Sequence, residues 1–193
     1  MNNIAFYNVH YVYQDLHKNI LSLAEGLTEE QLRWRPEGYS TSIGFHLWHL
    51  ARESDFLRAR ILELVPELGH EFGAALEIWK QDRLAEKWGF PTAIRETVGT
   101  GLSDEDAANL PIPPKEELLD YLRRAYQAAE KFVELLDLQY PVFKDGDANL
   151  IKKIQNIRLN ILIFLVHDGR HLGMMECLKG LLTGFGSATE KRG

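Results

Sequence analysis

The sequence predicts an all-α protein: a four-helix bundle with a long, partly helical connection between its second and third helices. Three observations carry this. In three long segments apolar residues recur at steps of three and four, the mark of amphipathic helices, and a fourth is apolar almost all round over Leu159–Val166. No run alternates with period two, and nothing repeats or is of low complexity. The 193 residues are 45% apolar and 26% charged, which suits one soluble globular domain. A chain this long buries roughly 70% of its unfolded surface, so it needs neither a disulfide nor a metal merely to fold.

The first segment, 3–25, places Phe6, Val9, Tyr13, Leu16, Ile20 and Leu23 on one face, and Gly26 stops it. Thr28 opens Thr-Glu-Glu-Gln, a capping box in which Gln31 reaches back to the first free amide. A short helix is expected there, ending before Pro36. Thr41 or Ser42 caps the second long helix, which carries Ile43, Leu47, Leu50, Leu57, Ile61 and Leu64 and closes at Pro66. The connection, 66–114, is the least regular stretch. It is expected to hold one helix (Ala74–Trp88), a Gly-Phe-Pro turn at 89–91 and a Gly/Asp/Pro-rich run to Pro114. Pro114 suits the start of the third helix, which passes through Leu118, Leu119, Leu122, Tyr126, Phe132 and Leu136 to about Leu138. Pro141 and Asp145-Gly146 separate it from the fourth, about 148–182, ended by Gly184 and Gly186. The domain is expected over 1–183, with 184–193 a flexible tail.

Composition narrows the partners. The net charge is −6, and nucleic-acid binding needs clustered Lys and Arg, so no nucleic acid is expected. The longest purely apolar run, Ile161–Val166, is far short of the ~20 residues that span a bilayer. No signal peptide is visible. A single cysteine, Cys177, excludes an internal disulfide and fits a reducing compartment, so the expected location is cytoplasmic. Cys177 itself reads as a buried, inert thiol.

The seven histidines are the informative feature. His167 and His171, four apart on the fourth helix, lie one turn above the other on one face and can converge on a metal. Leu159–Val166 is apolar almost all round, which marks a buried helix, and Asn156 and Asn160 fall in line with the two histidines. Such a stripe serves equally as a hydrogen-bonded core network. A third ligand must come from another helix. The second offers His46 and His49, with Glu53 one turn beyond His49, where it can take the second ring N–H or face solvent. Periodicity slightly favours His46. The first helix offers His10 and His17 on the border of its apolar face, and His70 reads as a loop residue.

Several segments resemble one family. Leu27-Thr-Glu-Glu-Gln-Leu-Arg-Trp-Arg-Pro, Ser42-Ile-Gly-Phe-His-Leu-Trp-His-Leu-Ala-Arg and His167-Asp-Gly-Arg-His-Leu-Gly-Met are similar to the DinB/YfiT-like superfamily, as are Thr100-Gly-Leu-Ser and Glu117-Leu-Leu-Asp-Tyr-Leu. The resemblance spans nearly the whole chain. It implies an up-down-down-up four-helix bundle with a three-histidine metal site, and homodimers. The histidine before Leu-Ala maps to His49, against the periodicity, and the other two to His167 and His171. His46, Glu53, Asn160, His17 and His10 are then candidates to surround the site. Where relatives often carry Gly-Gln, this chain has Gly173-Met174, so a polar group near the site is expected to be missing.

Three neutral imidazoles with an open fourth position make the pattern of a catalytic metal. Zinc is the first expectation, with nickel, iron or cobalt also suited to all-nitrogen ligation. By resemblance, the reaction is a low-molecular-weight-thiol S-transfer or a hydrolysis acting on a small electrophile. The alternative is a non-catalytic, stress-related metal- or ligand-binding bundle. Gly169 and Gly173 are read as permitting close helix packing. Trp48, Trp79 and Trp88 read as core. Because long connections often act as lids, Trp79, Arg83 and Trp88 are also where substrate contacts are expected.

Overall fold

The computed structural model of the chain describes residues 9–38, 41–66, 76–143 and 148–184. Among these, all regular structure is helical. Four helices are long: α1 (Val9–Glu25), α3 (Ile43–Leu64), α7 (Lys115–Phe143) and α8 (Ala148–Thr183). Short ones fill the connections: α2 (Glu29–Arg33), α4 (Ile78–Gln81), α5 (Leu84–Lys87) and α6 (Asp104–Ala108), with a 3-10 turn at Thr92–Ile94. Phe6, His70, the start of the helix expected at Ala74, Asp145-Gly146 and the tail from 185 lie outside the described residues. No described helix is long and apolar enough to cross a membrane.

Local chemistry sets the helix ends as the sequence suggests. The capping box closes both ways, with Gln31 N donating to Thr28 Oγ1 at 3.2 Å and Thr28 N donating to Gln31 Oε1 at 2.8 Å. Ser42, rather than Thr41, caps α3 by accepting from Phe45 N. Gly184, at φ 78°, ends α8. The third long helix runs past Leu138 to Phe143 and takes Pro141 into its last turn, where the missing amide costs one bond only.

Side-chain ties give the helix directions. Lys115 Nζ donates to the carbonyls of Glu25 and Leu27, joining the end of α1 to the start of α7. His46 faces His171 and His49 faces His167, so α3 and α8 run in opposite directions. Two apolar clusters fill the bundle. One gathers Ile20, Leu47, Trp48, Leu122 and Met175 with Trp79, Trp88 and Phe90 of the connection. The other gathers Val9, Tyr13, Ile61, Val133, Ile157 and Ile161. Where they meet, α1 supplies His17, α8 Asp168 and α7 Glu130.

The helix expected over Ala74–Trp88 is broken. Trp79 and Trp88 are nine residues apart, about 180° around a continuous helix, so a straight one could not turn both into one core. Arg83 adopts a left-handed φ of 52° between α4 and α5, and the two indoles meet with centroids 5.7 Å apart. The buried Asp55 carboxylate accepts from Ile78 N and Trp79 N, each at 2.9 Å, which starts α4. Both tryptophans are core side chains and Arg83 is exposed. The indole N–H groups are spent on Arg95 O and Glu117 Oε2, and the cluster packs the connection onto α3, while Trp88 also lines a groove of about 320 Å³ with Leu84, Lys87, Glu117 and Tyr121.

Arg52 ties the same layer together. Fully buried, it donates to Glu77 Oε2 at 2.8 Å and lies 4.7 Å from the Trp79 ring centroid. Among the described residues, removing Arg52 leaves the buried Glu77 carboxylate with only the half-exposed Lys80 as an ion partner. Arg52→Ala is expected to lower stability by about 3 kcal/mol, read as a shift in urea-denaturation midpoint.

The expectation of a buried fourth helix is corrected. Leu159, Ile163, Val166 and Leu181 are 54–65% exposed, and Met174 is 44% exposed. Cys177 is exposed rather than buried. Among the described residues, a Cβ built on Gly169 or Gly173 meets nothing within 4 Å, so neither glycine serves close packing there. An outer helix of a bundle contacts its neighbours along one stripe only; apolar composition cannot tell which chain covers the rest.

Candidate metal centre

The site lies where α8 faces α3. His49, on the buried face of α3, meets His167 and His171, one turn apart on α8. His49 Nε2 is 3.2 Å from His167 Nε2, which is 3.1 Å from His171 Nε2. The three ligand atoms all lie within 4.8 Å of one another, and the group could hold a metal ion. Nitrogen donors at 2.0–2.1 Å in a tetrahedron stand about 3.3 Å apart. The two short edges match that spacing.

The outward-facing nitrogens decide the protonation. His49 Nδ1 lies 2.6 Å from Val98 O, and His167 Nδ1 lies 3.1 Å from Asp168 Oδ1. A carbonyl and a carboxylate only accept, so both Nδ1 atoms carry the proton and both neutral rings turn a bare Nε2 inward. Two lone pairs then face each other at 3.2 Å, an arrangement that calls for a positive charge between them. His171 Nδ1 lies 2.9 Å from His46 Nδ1, and His46 Nε2 lies 2.9 Å from Thr41 Oγ1. With His171 Nε2 also bare, His171 donates to His46 and His46 donates to Thr41. The residues therefore fit a divalent cation.

Burial keeps His46, His49 and His171 neutral. Burial, then the charge of His49, pushes His46 down to about 4. Burial, then His49, His46 and His167, pushes His171 down to about 3. His49 is also lowered, chiefly by burial. Burial would raise Asp168, but the hydrogen bond to His167 and the nearby His17 ring hold it below the usual carboxylate range. In metal-free protein the unfolded chain takes up protons on His46 and His171 below about 6.5 that the folded chain refuses. Its stability is therefore expected to fall as pH drops from 7.5 to 5. Urea midpoints in chelator should show this, with a smaller fall in His46→Gln.

The connection reaches the site at one turn. Gly99 has φ 106°, and a Cβ there would stand 2.8 Å from the Trp48 ring and 3.1 Å from His49 Nδ1. Only glycine lets Val98 O approach the imidazole this closely. The next residue, Thr100, donates to Glu53 Oε1 at 3.2 Å.

The other candidates are placed as follows. His46 abuts the three histidines through His171. His17 is 1% exposed and reaches Asp168. Glu53 is buried, but Val98 O takes the second N–H of His49 and Glu53 serves Thr100. Asn160 is not at the site: it is exposed and donates to Asn156 O of its own helix. His10 packs on Tyr11, two turns before His17. Met174, at the position of the expected polar group, lies on the outer face of α8. Asp168, Val98, Gly99 and Thr41 were missed from sequence. Asp168 alone offered a signal, as a carboxylate inside a His-x-x-x-His turn.

No curated protein matches the chain. A family model described as the DinB superfamily matches residues 13–175, from α1 through His171 of α8. A match over that span, enclosing all three site histidines, makes the chain a member of the DinB superfamily.

Proposed function

We propose that the chain is a metal-dependent enzyme in which His49, His167 and His171 hold one divalent ion, zinc before nickel, iron or cobalt. The observation that carries this is that the bare His167 Nε2 lies 3.1–3.2 Å from the bare Nε2 atoms of His171 and His49, with each Nδ1 anchored. Three protein donors, the two nearby carboxylates being engaged by Thr100 and by His167 with His17, make the ligand count of a catalytic centre. A bound divalent ion would supply Lewis acidity to a coordinated water or thiol.

The chain's own residues prepare the site. Val98 O, Asp168 and His46 fix ring orientation, and the 29% exposure of the His167 side chain leaves an approach from solvent. The reaction we favour is transfer of a low-molecular-weight thiol to a small electrophile, with hydrolysis second. Cys177 is the chain's one cysteine and is exposed; it lies beyond the site histidines on α8, so the thiol comes from outside, which suits a cytoplasmic location. The exposed Leu159, Ile163 and Val166 of α8 support a homodimer through that face; a monomer by light scattering at micromolar concentration would refute it.

The test uses metal-loaded protein with a panel of low-molecular-weight thiols, an aryl halide and an activated ester. Turnover that depends on a thiol and is lost on chelation supports the transferase. Ester cleavage without thiol supports the hydrolase. With neither turnover nor thiol binding, the enzyme reading falls and a metal-binding bundle remains.

A further inference from the structure

A file of buried polar side chains runs from the three histidines to the opposite side of the bundle. From His167 Nδ1 it passes to Asp168 Oδ1 at 3.1 Å. Asp168 Oδ2 then faces His17 Nε2 at 3.5 Å, and His17 Nδ1 lies 2.7 Å from Glu130 Oε1. Asp168 and His17 are each 1% exposed. The Glu130 side chain is 21% exposed and borders a groove of about 490 Å³ between α1 and α7, with Lys18, Arg123 and Gln127. Three helices that share no sequence neighbourhood thus contribute to one line.

The arrangement does more than satisfy polar groups. His17 faces carboxylate oxygens with both nitrogens: Nδ1 is hydrogen-bonded to Glu130 Oε1, which only accepts, and Nε2 stands at ion-pair distance from Asp168 Oδ2. Its plane is clamped: Tyr126 stacks on it at 3.5 Å and 2°, and Tyr13 lies 4.2 Å away, tilted. The clamped ring packs against Asp168 Oδ2 at 3.5 Å, which leaves Oδ1 facing His167 Nδ1. Without His17 the aspartate could turn about its own torsions, and His167 could exchange which nitrogen carries the proton.

We infer that His17 and Glu130 are positioning residues for the three-histidine centre, acting through Asp168 to keep His167 Nδ1 protonated and Nε2 bare. This rests on the metal-site reading above, and its test separates the two. Groups that directly hold ligand histidines are typically worth 10–100-fold in metal affinity; one contact further out, about tenfold is expected.

The experiment compares wild type with His17→Phe, which keeps a stacking ring, and with Glu130→Ala, whose partly exposed position spares folding. Cobalt(II) affinity is measured by chelator competition, and the His167 tautomer by long-range ¹⁵N–¹H spectra of metal-free protein. Each variant should weaken cobalt binding about tenfold, and the double variant should be little worse than His17→Phe, since both act along one line. His167 should show one tautomer in wild type and a mixture in the variants. An unchanged tautomer, or an affinity within about twofold of wild type in a folded variant, overturns the inference. If wild type takes up no cobalt, the metal reading fails and the tautomer comparison alone decides the positioning role.

Discussion

His49→Ala or His171→Ala is expected to reduce bound transition metal from close to one equivalent to below about 0.2 in protein purified without a metal column. Each substitution removes one of three nitrogen donors from a set whose neighbours are already engaged: Glu53 and Asp168 serve Thr100 and the His167–His17 pair, and His46 is tied to Thr41. Two imidazoles alone cannot hold a divalent ion through purification. The fold should survive, because truncation relieves crowding among imidazoles that burial already disfavours in charged form. Elemental analysis with a thermal melt of metal-free protein reads both effects. Wild type below about 0.2 equivalents, unchanged by either substitution, would sink every metal-dependent reading.

Gly99→Ala is the second large effect, and it acts from outside the three histidines. A positive φ of 106° is a conformation that alanine adopts only under strain, and the new methyl would stand 2.8 Å from the fully buried Trp48 ring. Trp48 cannot give way, because it packs on Phe90 and Trp79. The turn must therefore lift, taking Val98 O from His49 Nδ1. Backbone strain of about 1–2 kcal/mol and overpacking of about 1–3 kcal/mol combine to a loss of about 2–5 kcal/mol. Metal affinity should fall at least about tenfold. A Gly101→Ala control, also at positive φ but with nothing within 4 Å of its Cβ, should lose stability without that loss of affinity. Equal affinity losses in both variants would mean that contact with His49 is not what Gly99 provides.

What was legible in the sequence was what is encoded locally. The Thr28–Gln31 capping box and the Ser42 cap follow from side chains and amides three residues apart, and the structure has both. Three amphipathic segments and one largely apolar one marked the helices, and the fourth-helix histidines shared a face because a helix turns about 100° per residue. Periodicity on α3 slightly preferred His46, since a wheel measures only the direction of the core. The structure puts His49 Nε2 in the cluster and sets His46 behind His171.

The sequence by itself determined an all-helical chain with histidines spaced to meet, because helical period and capping depend on neighbours within one turn. Tertiary structure alone decided the rest. Val98 contributes a backbone carbonyl, which no residue type announces, and Asp168 turns inward because α1 brings His17 to it. The helix expected over Ala74–Trp88 broke at Arg83 because two tryptophans on opposite faces had to enter one core. The apolar length of α8 proved to be half surface, because burial depends on which neighbours arrive, and composition does not record them.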